Sequence, residues 1–239
     1  MLTECFNQME IKPEYRKKSI RSYVLRSGRI TDSQRKAFET HWSSFGLELG
    51  SGKLDTESTF GSTAVLVVEI GFGMGDSLLK MAQASPHQHF IGIEVYPPGV
   101  GSLMRRAQEI GLKNLRVYLA DANDVIEECF NENTIDRIQL FFPDPWHKKK
   151  HNKRRIVTHN FVQLVRSRLN LDGVFHMSTD WKAYAEQMLE IMEQSDGFSN
   201  CAGAGKFSVK PNYRPLTKFE IRGERLGHDV WDLVFKRIT

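Results

Sequence analysis

A chain of 239 residues with 40% hydrophobic content is long enough for one large α/β domain with an extension, and it can bury a real core. Its net charge is +4, no apolar stretch is long enough to span a bilayer, and the N-terminus lacks the apolar segment of a signal peptide. Three scattered cysteines, Cys5, Cys129 and Cys201, exclude a disulfide framework, so a cytoplasmic protein with reduced thiols is expected.

Residues 1–36 hold nine Lys and Arg against four acids and have little apolar periodicity, so they read as a basic, mobile N-terminal extension. A helix is expected over Ala37–Leu49, followed by a Gly/Ser/Thr-rich linker over Gly50–Ser62. Gly50-Ser51-Gly52-Lys53 resembles the end of a phosphate-binding loop. Leu47 and Leu54 stand where that motif needs Gly and Ser/Thr, and no strand precedes it, so the reading is rejected. The main domain is assigned to 63–239. Ala64–Ile70 is a continuous apolar run, as expected of a strand buried on both faces. A helix over Ser77–Ala84, a strand over Phe90–Val95 and a helix over Val100–Ile110 follow. Next come a strand over Leu115–Ala120, a short helix over Val125–Phe130 and a strand over Ile135–Phe142. A helix over Ile156–Leu169, a strand over Gly173–Met177, a helix over Trp181–Gln194 and a last strand over Val230–Ile238 complete the series. Alternating strands and helices imply a doubly wound, mostly parallel sheet.

In such sheets ligands bind beyond the carboxyl ends of the strands. Here five strand ends carry a carboxylate: Glu69, Glu94, Asp121, Asp144 and Asp180. After Glu69 comes a turn with glycines at alternate positions, Gly71, Gly73 and Gly75, which lets the backbone approach a ligand closely. The spacing is not that of a dinucleotide fingerprint, because Asp76 occupies the place of its third glycine. An acid before the first glycine suits a cationic ligand. Glu94 can accept both hydroxyls of a ribose, and Asp121 an adenine amino group. Together these positions describe a pocket for S-adenosylmethionine.

The run Phe141-Phe142-Pro143-Asp144-Pro145-Trp146 leads into His147-Lys148-Lys149-Lys150-His151-Asn152-Lys153-Arg154-Arg155. It presents an acid, then an aromatic, then six cations in eight positions. With the basic extension, this indicates a polyanionic partner. Trp146 either stacks on a base or packs beneath the loop. His147, His151 and His159 lie among cations with no acidic ligand set, so no metal is expected.

These motifs, with Tyr23-Val24-Leu25-Arg26 and Pro215-Leu216-Thr217-Lys218-Phe219-Glu220, resemble the bacterial tRNA (guanine-N7)-methyltransferases over residues 20 to 239. The resemblance implies a class I S-adenosylmethionine-dependent methyltransferase fold with a seven-stranded sheet and a basic N-terminal extension. It implies tRNA as partner and a guanine at position 46 of the variable loop as target. It implies cofactor contacts from Glu69, Glu94, Asp121 and Asp144, and substrate contacts from Lys148, Asp180, Thr217, Lys218, Phe219 and Glu220. RNA contacts would come from Lys150, His151, Asn152, Lys153, Arg154 and Arg155. A monomer is expected rather than a homodimer.

Guanine N7 already offers an in-plane lone pair, so the reaction needs orientation and a negative field rather than a strong base. Asp144 is therefore expected to stabilise the positive charge arriving on the base. Two other readings compete: methylation of an exocyclic amine, because Asp-Pro-x-aromatic elements occur there, and a tRNA-binding protein without catalysis.

Overall fold

The computed structural model describes residues 21–24, 30–217, 220 and 229–239. Thr31 opens the first helix, α1 (Asp32–Phe45), with a capping box: its hydroxyl accepts from Gln34 N while its own N donates to Gln34 Oε1. The helix thus starts at Asp32, inside the segment expected to be extension, and it buries Ala37, Phe38 and Phe45. It leads directly into a two-residue strand, β1 (Gly46–Leu47). The stretch expected to be a linker contains a short helix, α2 (Thr56–Phe60), because Asp55 caps the backbone N–H groups of Glu57 and Ser58.

The alternating series then follows the order expected from the sequence. It runs β2 (Leu66–Ile70), α3 (Asp76–Ala84), β3 (His89–Glu94), α4 (Pro97–Glu109), β4 (Leu115–Leu119), α5 (Ala122–Cys129) and β5 (Ile135–Phe141). A 3-10 turn over Lys149–Arg154 takes up most of the basic run. Then come α6 (His159–Arg168), β6 (Leu169–Thr179), α7 (Lys182–Glu193), β7 (Phe198–Asn200) and β8 (Trp231–Arg237). Pro97 and Pro98 start α4 earlier than expected, since proline is pre-set for the first turn of a helix.

Among the described residues the sheet has eight strands in the order β1-β4-β3-β2-β5-β6-β8-β7, one more than the seven expected, with β1 as the short edge strand. Strands β1 to β6 pair in parallel, while β8 runs antiparallel to both β6 and β7. Successive residues of a strand face opposite layers. In β2, Val67 packs with α1, α3 and α4, whereas Leu66, Val68 and Ile70 join the layer of α5, α6 and α7. The chain crosses from β4 back to β5 on the other side of β2, so the switch point lies between β2 and β5.

Candidate active site

The site is built on the turn that follows β2. Gly71, Gly73 and Gly75 have φ of 72°, 57° and 77°, a region where a side chain is strained. The turn also lies hard against the start of α4, where a Cβ on Gly99 would sit 2.0 Å from the carbonyl oxygen of Gly73. Glu94, at the end of β3, fastens the two loops together. Its Oε2 accepts from Gly73 N at 2.7 Å, and its Oε1 accepts from Val95 N at 2.7 Å and Tyr96 N at 3.1 Å. Glu69 is buried beneath the turn, and its Oε2 has no hydrogen-bond partner among the described residues. Burial, aided by the nearby Glu94 charge, pushes the Glu69 carboxyl up to about 8. Burial also raises Glu94, against the three backbone donors that pull it down. A buried pair of acids with one unpartnered oxygen is the environment that an incoming cation relieves, so these residues fit a sulfonium cofactor with an ammonium group.

Asp121, the N-cap of α5, accepts from the backbone and side chain of Asn123. It also receives the hydroxyl of Tyr23, whose ionisation is pushed upward by burial and then by the Asp121 charge. Ser22, Tyr23 and Val24 thereby become part of the wall of a cleft of about 510 Å³, within the usual range for small-molecule sites. Glu69, Gly71, Gly73, Glu94, Asp121, Asp144 and Thr217 all line this one cleft. Gly75 does not line it; it caps α3 in a left-handed conformation. The contribution of Ser22 and Tyr23 was invisible to periodicity, because it is made by irregular chain.

The opposite wall is the end of β5. Phe142 N donates to Ser178 O at 2.8 Å, and Phe142 and Trp146 adopt φ of 51° and 48°. These unusual turns swing Asp144 to the mouth of the cleft, where it is exposed. Trp146 settles its two alternatives here in favour of packing. Its Nε1 donates to Ser22 O, and the Arg154 guanidinium lies 4.1 Å from its ring centre. His151 sits beside the same indole, its protonation disfavoured by partial desolvation and by Lys150, Arg154, Lys148 and Lys153.

The basic run divides. Lys148, Lys149, Lys150 and Lys153 are exposed, while His151, Asn152 and Arg154 are half-buried. Arg155 turns inward: it is 4% exposed, donates through Nε to Pro145 O at 2.8 Å, pairs with Gln187 Oε1 and lies 4.6 Å from the Tyr184 ring centre. Arg155, for which an RNA contact is expected, thus braces the Pro145–Trp146 turn from beneath. Lys148 and Asp180 do not line the cleft, although His147 and Trp181 stack edge-on beside them at 4.2 Å. Thr217 and Glu220 form a capping box of their own: Glu220 N donates to Thr217 Oγ1 at 3.1 Å, and Thr217 N to Glu220 Oε2 at 3.4 Å. Lys218 and Phe219 lie outside the described residues. Among the described residues, no group of three His, Cys, Asp or Glu is placed to hold a metal.

Comparison with known proteins gives a consistent result. Residues 63–233 match the family Methyltransf_4, described as "Putative methyltransferase". A tRNA (guanine-N(7)-)-methyltransferase of Saccharophagus degradans is 56% identical over 227 residues, covering 95% of this chain and 99% of that one. One from Marinobacter nauticus is 50% identical over 236 residues, covering 99% of each. Among solved structures, the 16S rRNA methyltransferase KamB superposes with a TM-score of 0.54 at 13% identity, covering 90% of this chain and 99% of that one. An rRNA methylase from Streptococcus thermophilus gives 0.51 at 12% identity, covering 74% and 88%. At such identities the two structures share the fold alone.

Proposed function

This chain belongs to the tRNA (guanine-N7)-methyltransferase family, and on that premise we propose how its residues serve methyl transfer from S-adenosylmethionine to N7 of a guanine in tRNA. The target within the tRNA is proposed to be position 46 of the variable loop. When bound, the cofactor supplies an electrophilic methyl carried on a sulfonium. The observation that carries the reading is that acids from three successive strand ends, Glu69, Glu94 and Asp121, face the same cleft whose other wall carries Asp144.

Glu69 provides the negative field at the cationic end of the cofactor. Glu94 keeps its two oxygens fixed by three backbone donors, which leaves one of about four lone-pair sites, on Oε2, for a ribose hydroxyl. Asp121 offers an acceptor to the adenine side, with Tyr23 closing over it. Asp144 stands at the mouth, where it can accept hydrogen bonds from the guanine edge. As N7 attacks, positive charge passes to the purine, and a carboxylate fixed in advance stabilises that charge without taking a proton. Lys148, Lys150 and Lys153 present their ammonium groups on the outer face, where phosphates would meet them. Among the described residues no helix is long and apolar enough to cross a membrane. A cytoplasmic location and a monomeric state are parts of the proposal.

The test is nucleoside mass spectrometry of a tRNA pool incubated with the protein and isotopically labelled S-adenosylmethionine. Label in 7-methylguanosine is expected. Label only in a base methylated on an exocyclic amine, or none, would refute the reading.

A further inference from the structure

Helices α1, α3 and α4 cover one side of the sheet over β2 and its neighbours, but among the described residues none of them packs over β5, β6 and β8. On β5, β6 and β8, the side chains of Ile138, Leu140, Phe175, Met177, Leu233 and Phe235 fill the layer of α5, α6 and α7. The alternate residues Gln139, His176 and Asp232 point the other way, and all three are buried. What covers them is the irregular segment leading to Thr217. Tyr213 O–H lies 3.0 Å from His176 Nδ1, and the Arg137 guanidinium sits 4.0 Å from the Tyr213 ring centre. His176 Nε2 lies 2.7 Å from Asp232 Oδ1, so a single neutral tautomer satisfies both neighbours. Burial holds His176 below its usual range, in keeping with that neutral form.

Arg214 is the centre of this layer and one of the largest fully buried side chains. Its fork holds Glu220 through Nη1 at 2.7 Å and Nη2 at 3.1 Å, and Nη2 also reaches Asp232 Oδ2 at 2.8 Å. Glu220 in turn accepts from Lys210 and completes the capping box with Thr217, which lines the cleft. The same guanidinium lies 5.9 Å and 5.8 Å from the ring centres of Phe141 and Phe142, the residues just before Pro143-Asp144. Buried ion pairs of this kind add little stability over a well-packed apolar cluster, because desolvation offsets their attraction. What they supply is direction: a planar fork fixes two carboxylates at one geometry, which an ammonium cannot do.

We propose that Arg214 is a positioning residue for methyl transfer, docking Thr217 and Glu220 onto the buried polar face of β5, β6 and β8 and thereby setting Thr217 opposite the Asp144 wall. This rests on the methyltransferase reading above. Arg214 does not line the cleft; it acts through Glu220, with Asp232 as its anchor on β8.

Three variants test it: Arg214→Lys, Glu220→Gln and the double variant, each compared with wild type that has first been shown to form 7-methylguanosine. Single-turnover rate at saturating tRNA and cofactor is read beside S-adenosylmethionine affinity by calorimetry and folded fraction by circular dichroism. Each single variant is expected to lose at least about tenfold in rate, as misplacement of a reacting group does. Cofactor affinity should stay within about twofold, and the double variant should be no slower than the slower single, as expected of residues acting as one unit. Full rate in Arg214→Lys overturns the proposal. So do losses that multiply in the double variant, or losses that only track cofactor affinity or folded fraction. If Arg214→Lys does not fold, Glu220→Gln decides, and its full activity overturns the proposal. A wild type that makes no 7-methylguanosine refutes the family reading instead.

Discussion

The indole Nε1 of Trp146 donates to the carbonyl oxygen of Ser22 across 3.1 Å, joining positions 124 residues apart. Arg154 repeats the link one residue earlier, with its Nε 3.2 Å from Arg21 O. The segment that lines the cleft and meets Asp121 through Tyr23 is thus held by the loop that carries the basic run.

Trp146→Phe keeps a ring for Arg154 to cover but removes the donor to Ser22. One such hydrogen bond contributes about 1 kcal/mol, so S-adenosylmethionine affinity should fall about fivefold. Calorimetric titration checks this. Unchanged cofactor affinity, with only tRNA binding weakened, would mean that the link does not shape the cleft.

Cofactor binding should be coupled to protons through Glu69. With its carboxyl pushed up to about 8, the group is mostly protonated at pH 6, and a cationic ligand favours its ionised form. Binding then releases a proton, and affinity should rise between pH 6 and 7.5 by up to about tenfold per unit. Glu69→Gln should flatten the profile; a wild-type profile as flat as that of the variant would mean that Glu69 does not release the proton. The same shift makes Glu69 weaken the fold as pH rises from its usual 4.5 towards 8, because the folded carboxyl holds its proton more tightly than the unfolded chain does.

Arg155 should behave unlike its neighbours. Lys150→Ala and Lys153→Ala should each reduce the salt slope of tRNA affinity by about 1 and leave thermal stability nearly unchanged. Arg155→Ala should instead cost about 1–3 kcal/mol of stability, by leaving buried partners unsatisfied, with the salt slope of the folded protein unaltered. Filter binding across a salt series, beside thermal denaturation, separates the cases. An Arg155→Ala protein of normal stability with a shallower slope would return that residue to the RNA face.

The contrast between Arg155 and Lys153 shows what the sequence could convey. The alternation of β2 to β6 with helices was legible because each strand buries apolar side chains on a period that neighbours in the chain reveal. The carboxylates at Glu69, Glu94, Asp121 and Asp144 were legible because strand ends are local. In a cationic run, however, nothing local distinguishes a guanidinium that folds under Pro145 from an ammonium that faces solvent. The helix α1 was placed too late because the capping box of Thr31 and Gln34 is embedded in basic sequence with little apolar periodicity. Arg214 was missed for a deeper reason. Its partners Glu220 and Asp232 are 6 and 18 residues away, and it is buried against one face of β5, β6 and β8 that only the assembled sheet creates. Strand order determines that, and strand order is a property of the whole fold.

Asp144 is proposed to stabilise charge arriving on the base rather than to remove a proton. Asp144→Asn preserves shape and hydrogen-bonding capacity but removes the charge. Rapid-quench single-turnover transfer to tRNA, at saturating S-adenosylmethionine, measures the step directly. A fall of about 100-fold or more is expected, as when a charge-stabilising group is lost from a prepared site, with cofactor still bound. Transfer at the wild-type rate would contradict it.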